Sequence, residues 1–267
     1  MARAARAWST RALVTAALIA AVTGCSSASP AVDARLPDAK APAGGKGLSD
    51  ATFWLSFELD TIDYDGAPAY PDELEGPYDG RVVTAGGGTV TEVPGADGSA
   101  RAIEFPPRCE GSPACPHVIL EIPPDPALDP GEADFEYGAS VWLAPDQTTS
   151  GSNIVQKGRF ATAGGLWKLQ VDSDEGHASC VVRSESTLVS VRSSVSIADS
   201  SWHRVVCRRQ GDEVSIAVDD TVDHVTADLG PVASRWPVRI GGPGVGPDDD
   251  QFHGRVDDVF LWVDPAA

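Results

Sequence analysis

From residue 52 onward, apolar and polar side chains alternate in short runs that turn residues cut off. The first runs are Thr52–Glu58 (TFWLSFE), Thr89–Val93, Arg101–Phe105, His117–Ile122 (HVILEI), Tyr137–Leu143 (YGASVWL) and Asn153–Lys157 (NIVQK). Leu166–Val171 (LWKLQV), Ala178–Arg183 (ASCVVR), Leu188–Val191, Ser201–Arg209 (SWHRVVCRR), Glu213–Asp219 (EVSIAVD), Val238–Gly241 and Gly254–Val263 (GRVDDVFLWV) follow. A period of two is the spacing of a strand with one buried face, and helical periodicity is almost absent. Pro123-Pro124 stops one run, Asp172–Gly176 separates two others, and Gln210-Gly211-Asp212 predicts a hairpin turn. About a dozen short strands with no helix between them predict an all-β fold, an antiparallel sandwich or barrel.

The first 50 residues do not share this pattern. Arg3, Arg6 and Arg11 precede an apolar stretch, Ala12–Val22, that is too short to span a bilayer and has the length of a signal-peptide core. Val22-Thr23-Gly24-Cys25 follows directly and resembles the lipobox of bacterial lipoproteins, with Val22 where Leu is commoner. That resemblance implies cleavage after Gly24, a lipid anchor on Cys25, and a location on the extracytoplasmic face of the cell membrane. Residues 25–50 are rich in Ser, Ala, Pro, Gly and Asp, so they cannot bury a core and are expected to act as a tether. The expected organisation is a signal peptide at 1–24, a lipidated tether at 25–50 and one domain at 51–267.

Composition narrows the partners. The chain carries 20 Lys+Arg against 39 Asp+Glu, a formal net charge of −19. Nucleic acid is excluded, because its phosphates demand a basic footprint. Electrostatic adhesion to anionic lipid is excluded for the same reason, leaving the covalent anchor as the membrane link. Five cysteines are present. Lipidation of Cys25 leaves Cys109, Cys115, Cys180 and Cys207, an even set in a compartment that permits disulfides. Four cysteines allow three connectivities, and their spacing alone does not choose among them.

A more specific signal lies in the second half. Asn153–Gly158 (NIVQKG), Trp167–Val171 (WKLQV), Cys180–Val182, Trp202–Arg209 (WHRVVCRR), Val218-Asp219-Asp220, Ile240-Gly241-Gly242 and Phe252–Val259 (FHGRVDDV) occur in this order. Together they resemble a laminin G-like domain of the concanavalin A-like lectin and glucanase superfamily. The resemblance is strong over 153–260 and loose over 50–150, and Asp220 stands where a Gly is usual. It implies a jelly-roll β-sandwich of two curved antiparallel sheets. It also implies a cross-strand Cys180–Cys207 bridge and, helped by the short intervening loop, a Cys109–Cys115 bridge. Trp142, Trp167, Trp202 and Trp262 fall inside strand patterns and are expected in the core. Trp236, beside Pro237, is expected to be the most exposed.

Two sets of carboxylates carry candidate chemistry. Glu58-Leu59-Asp60-Thr61-Ile62-Asp63 looks like the glucanase motif in which two carboxylates share one strand face. It opens the domain and ends in Asp where the motif has Glu, so no catalytic residue is assigned to it. Relatives of this fold also hold structural Ca²⁺ where the first and last strands meet. Glu58, Asp60, Asp257 and Asp258 are the expected ligands, helped by Asp79, since Ca²⁺ takes six to eight oxygens. The expected function is a non-enzymatic, surface-anchored recognition module for a carbohydrate or an extracellular protein. The alternatives are a glycan-cleaving hydrolase and a purely structural envelope protein. A lectin would show an exposed aromatic beside hydrogen-bonding groups at a sheet face or loop rim.

Overall fold

The structure is a computed structural model. It describes residues 47–264 apart from 110–114, 150, 173–174 and 247–249. The described residues fall in one compact unit, Ala39–Ala267, separate from Met1–Asp38. That first segment, including the expected signal peptide and Cys25, lies outside the described residues, as does the tether up to residue 46.

Seventeen strands are described: β1 Phe53–Leu55, β2 Ile62–Tyr64, β3 Ala67–Tyr70, β4 Gly80–Ala85, β5 Thr91–Val93, β6 Ala102–Glu104, β7 His117–Ile122, β8 Phe135–Trp142, β9 Asn153–Lys157, β10 Leu166–Asp172, β11 His177–Arg183, β12 Leu188–Ser196, β13 Trp202–Gln210, β14 Glu213–Val218, β15 Thr221–Thr226, β16 Val238–Ile240 and β17 Arg255–Val263. They form two sheets in which the strand pairings are antiparallel. One has eight strands in the order β15-β14-β13-β8-β17-β6-β5, with β1 also paired to β17. The other has nine, in the order β12-β11-β10-β9-β16-β7-β4-β3-β2. The predicted all-β sandwich is thus the observed one.

The core lies between the sheets and follows from strand parity. Phe135, Tyr137, Ala139 and Val141 alternate inward from β8, and Val205 and Cys207 from β13. Opposite them, Trp167, Leu169 and Val171 point inward from β10. Tyr137 and Trp167 meet with ring centroids 4.8 Å apart, and the Tyr137 hydroxyl donates to the Lys168 carbonyl at 3.1 Å. The aromatic bodies are buried and the phenol is satisfied, which the core demands.

The same parity corrects the tryptophan expectation. Trp167 is 1% exposed, but Trp142, Trp202 and Trp262 are half-buried. Trp142 is one step out of phase with Val141, and Trp202 with the inward odd positions of β13, so both leave the sandwich by its outer face. They sit opposite each other in the β8–β13 register. The Trp142 indole donates to the Ser200 carbonyl at 2.8 Å and is capped by the Arg255 guanidinium 4.1 Å from its ring centre. In β17 a register shift between Asp257 and Phe260 resets the phase and turns Trp262 outward.

The disulfides pair as expected, with one change of geometry. Cys180 stands on β11 of the nine-stranded sheet and Cys207 on β13 of the eight-stranded sheet, with Cα atoms 5.7 Å apart. The bridge therefore crosses the core from sheet to sheet; it does not join neighbouring strands. Closing a loop of 27 residues, it stabilises the sandwich by roughly 3 kcal/mol through the unfolded chain. Cys109–Cys115 closes a small loop whose interior, including Pro113, lies outside the described residues.

Candidate ligand-binding face

The outer face of the nine-stranded sheet is polar and yet largely buried. In the β9–β10–β11 register Gln170 lies opposite both Asn153 and Ser179. One step along, Lys168 lies opposite Gln156 and Val181. These positions are out of phase with Leu169 and Cys180, so their side chains leave the core and point outward. On an open sheet face they would be solvated. Here Asn153 is 1% exposed, Ser179 0% and Gln170 8%.

Beside them Gly151, Phe160, Leu188 and Ser190 border an open cavity of ≈ 380 Å³ floored by Lys168, Gln170, Asp172 and Val181, so that Gln170 is the member of the row that reaches it. That volume is within the range of small-ligand sites. Among the described residues, Asn153 Oδ1, Gln170 Oε1 and Ser179 Oγ have no hydrogen-bond partner. A buried polar atom left unpaired costs about 1–3 kcal/mol, so three in one row are retained against stability. Gln170 spends its amide NH₂ on Asp172, which leaves its carbonyl oxygen free to accept.

One aromatic stands at the cavity rim. Phe160 is 61% exposed, and its ring lies 5.5 Å from the Lys168 ammonium. The loop that presents it is fixed by a single side chain. Arg183 donates from Nε to the Gly164 carbonyl at 3.0 Å and from Nη1 to that of Phe160 at 2.7 Å. Its Nη2 reaches the carbonyls of Arg159 at 2.9 Å and Thr162 at 2.6 Å. A planar fork of donors meeting convergent carbonyls fixes a loop more firmly than a flexible ammonium does. Burial pulls the Lys168 ammonium below its ordinary pKa, while Asp250 and Asp172 push it back up. The arrangement offers hydrogen-bond acceptors and donors, a cation and an aromatic ring in one recess. This is the combination expected of a lectin, built around Phe160.

The carboxylates singled out in the sequence are placed elsewhere. Strand β1 ends at Leu55, and Phe57 adopts a left-handed φ of 61° that turns the chain, so Glu58 and Asp60 do not share a strand face. Glu58 accepts from the Arg101 amide at 2.9 Å, Asp60 pairs with the Arg101 guanidinium at 2.9 Å, and Asp63 accepts from the Gly66 amide. None of the three lines the cavity.

The first and last strands do meet, since Trp54 lies opposite Phe260. The carboxylates there are already occupied by protein donors. Asp257 accepts from the Ser99 hydroxyl at 2.6 Å, the Ala96 amide at 2.9 Å and the Asp258 amide at 2.8 Å. Asp258 accepts from the Trp54 indole at 2.7 Å, and Asp79 from the Asp72 amide. Burial pushes the Asp257 carboxyl up to about 6 despite these bonds and raises Asp258 as well, with Arg204 pulling Asp258 back down. Among the described residues no three His, Cys, Asp or Glu converge in metal-holding geometry. Each carboxylate expected to ligate calcium accepts a protein donor in this arrangement.

The two-sheet sandwich defines a concanavalin A-like jelly roll. A laminin G-type family model, described as the concanavalin A-like lectin/glucanases superfamily, matches residues 123–265, and the chain belongs to that family. A search of curated proteins finds no match. Among solved structures it is similar to domain 4 of AbnA, a GH43 extracellular arabinanase from Geobacillus stearothermophilus, in complex with arabinotriose. That similarity is at 15% identity, covering 80% of this chain and 92% of that one, with a TM-score of 0.56. It is also similar to the binding domain of botulinum neurotoxin DC in complex with SialylT, at 11% identity over 82% of this chain and 49% of that one, with a TM-score of 0.52. The same toxin domain in complex with rat synaptotagmin II matches at 10% identity over 82% and 50%, with a TM-score of 0.53. The chain spans about half the length of these toxin structures. At such identities the likeness concerns the fold.

Proposed function

We propose that this protein is a glycan-binding module held on the extracytoplasmic face of the cell membrane by lipid on Cys25. The observation that carries the binding reading is Gln170 Oε1, a buried acceptor without a partner among the described residues, in a cavity that the Lys168 side chain and the exposed Phe160 ring also line. Saccharide hydroxyls donate to such acceptors, and the apolar face of a sugar ring covers an aromatic. A neighbour of this fold complexed with arabinotriose supports a saccharide; the synaptotagmin complex makes a protein ligand the competing reading. Binding is favoured over cleavage because Glu58, Asp60 and Asp63 stand away from the cavity. The anchor reading rests on Arg3, Arg6, Arg11, the Ala12–Val22 stretch and the residues before Cys25.

The test is a glycan microarray probed with the purified protein and with Gln170→Ala and Phe160→Ala. Binding to a defined glycan, weakened at least tenfold in both variants, supports the proposal. Glycan binding that ignores both substitutions, or no glycan binding at all, overturns it. Fractionation of cells expressing the Cys25→Ser protein checks the anchor, which predicts loss from the membrane fraction.

A further inference from the structure

Beside the cavity lies a cationic corner in an acidic protein. Trp236, half-buried on the segment leading into β16, has three guanidiniums around its ring: Arg159 at 5.2 Å, Arg239 at 5.9 Å and Arg235 at 6.0 Å from the centroid. Arg239 is committed, with Glu121 at 2.9 Å and the Pro243 carbonyl at 2.9 Å. Arg159 and Arg235 form no salt bridge among the described residues. Arg159 donates weakly to the Pro243 carbonyl at 3.4 Å, and its Nε is buried without an acceptor. Carboxylates outnumber cations 39 to 20 in this chain, so two neighbouring arginines without a carboxylate run against its charge balance. Like charges held together, with a buried donor unpaired, are at a cost that an anion would relieve.

The corner is continuous with the cavity. Arg239 lies opposite Gln156, which lies opposite Lys168. That is two strand spacings, about 10 Å. Arg159 directly precedes Phe160, and Arg183 holds the carbonyls of both.

Building on the glycan-binding reading of this face, we propose that Trp236, Arg159 and Arg235 form a second subsite that selects an acidic saccharide. A uronate carboxylate would sit against the guanidiniums and its ring against the indole, while the adjoining sugar occupies the cavity. Guanidinium forks match a carboxylate bidentately, and an indole face covers the apolar side of a sugar.

The experiment is affinity electrophoresis of the purified protein in gels containing polygalacturonate, alginate or hyaluronan, each also in carboxyl-reduced, neutral form. The expected result is retardation by at least one acidic polymer, about tenfold stronger than by its reduced form. Arg159→Gln/Arg235→Gln should remove that difference; Trp236→Ala should weaken retardation by both forms. The two glutamine substitutions alter only head groups and carry the test if Trp236→Ala does not fold. Equal retardation by acidic and reduced polymers, or an acid preference that survives the double substitution, overturns the subsite. If the reduced polymer still binds through Gln170 in that case, the glycan-binding face stands without it. Acidic binding that needs Arg159 but ignores Gln170→Ala leaves the corner and removes the cavity. No retardation by any polymer overturns both.

Discussion

The two sheets turn polar side chains to opposite sides of the sandwich and satisfy them very differently. On the eight-stranded side Arg208 pairs with Glu136 at 3.1 Å and Arg255 with Glu104 at 2.8 Å. Asp257 takes three donors there, and His203 bridges Asp219 at 2.8 Å and Asp199 at 3.0 Å. On the nine-stranded side Asn153 Oδ1, Gln170 Oε1, Ser179 Oγ, Arg81 Nε and, at the edge, Arg159 Nε are buried without partners among the described residues. A fold that can satisfy one outer face has no steric reason to fail on the other. On the proposed reading, the nine-stranded side is the one completed from outside. That reading also separates roles: the eight-stranded face contributes to stability, and the nine-stranded face gives some up to keep acceptors available.

The largest effect should come from breaking the satisfied side. Asp257→Ala strands the Ala96 amide, the Ser99 hydroxyl and the Asp258 amide. It should cost about 3 kcal/mol, a fall in melting temperature of roughly 10 °C by scanning calorimetry, with glycan binding unchanged. The same residue sets a pH slope. Its folded pKa of about 6 is above the unfolded value, so the native state holds the proton more tightly. The stability it contributes is complete below about pH 4 and lost as pH rises through about 6. Comparing unfolding free energies of the wild type and Asp257→Asn across this range should show on the order of 2–3 kcal/mol of extra decline in the wild type.

Effects on the nine-stranded side should fall on binding. Arg183→Met releases four carbonyls of the Phe160 loop. Glycan affinity should drop about tenfold, ~1.4 kcal/mol, with faster hydrogen exchange confined to residues 159–164. A global loss of protection would instead give Arg183 a role in the whole fold. Ser179→Ala removes an unpartnered buried hydroxyl and should raise stability by up to about 1 kcal/mol. A loss of stability on this substitution would mean that the hydroxyl is satisfied in solution and would blur the contrast between the faces.

The smallest effect concerns His203. Burial pulls its pKa down, but hydrogen bonds to Asp219 and Asp199 outweigh that and leave it raised. Its contribution is therefore present below about pH 6.5 and lost as pH rises through the higher folded value, by less than about 1 kcal/mol. Melting curves of His203→Gln and wild type should converge at alkaline pH.

Much of this was legible in the chain. Runs such as His117–Ile122 and Asn153–Lys157 became strands with the predicted bounds. Four strands went unread. β2 is exposed throughout and β15 nearly so, both on sheet edges, so neither shows an apolar phase; Pro68 interrupts β3, and β4 opens on Gly80. Trp142 lies within a strand pattern, as a core residue would, but its phase relative to Val141 already points it outward. The site residues were harder. Gln170 and Ser179 occupy the solvent phase of their strands, where polar residues are ordinary, and Asn153, in phase with the inward Val155, meets Gln170 only through the register shift between Leu169 and Gln170. Nothing local announces that they will be buried.

By itself the sequence determined the two-residue period, the turns, the even set of four cysteines beyond Cys25, and the seven segments that place the chain in its family. Each follows from short-range chemistry: alternation sets which face a side chain takes, and Gly or Asp sets where the chain reverses. Only the tertiary structure decided that Cys180 and Cys207 face each other across the core. It alone turned Trp142 and Trp202 onto an outer face, and it left three acceptors buried unpaired. Those outcomes depend on which distant strands become neighbours. Local periodicity fixes the direction of a side chain but not what it meets.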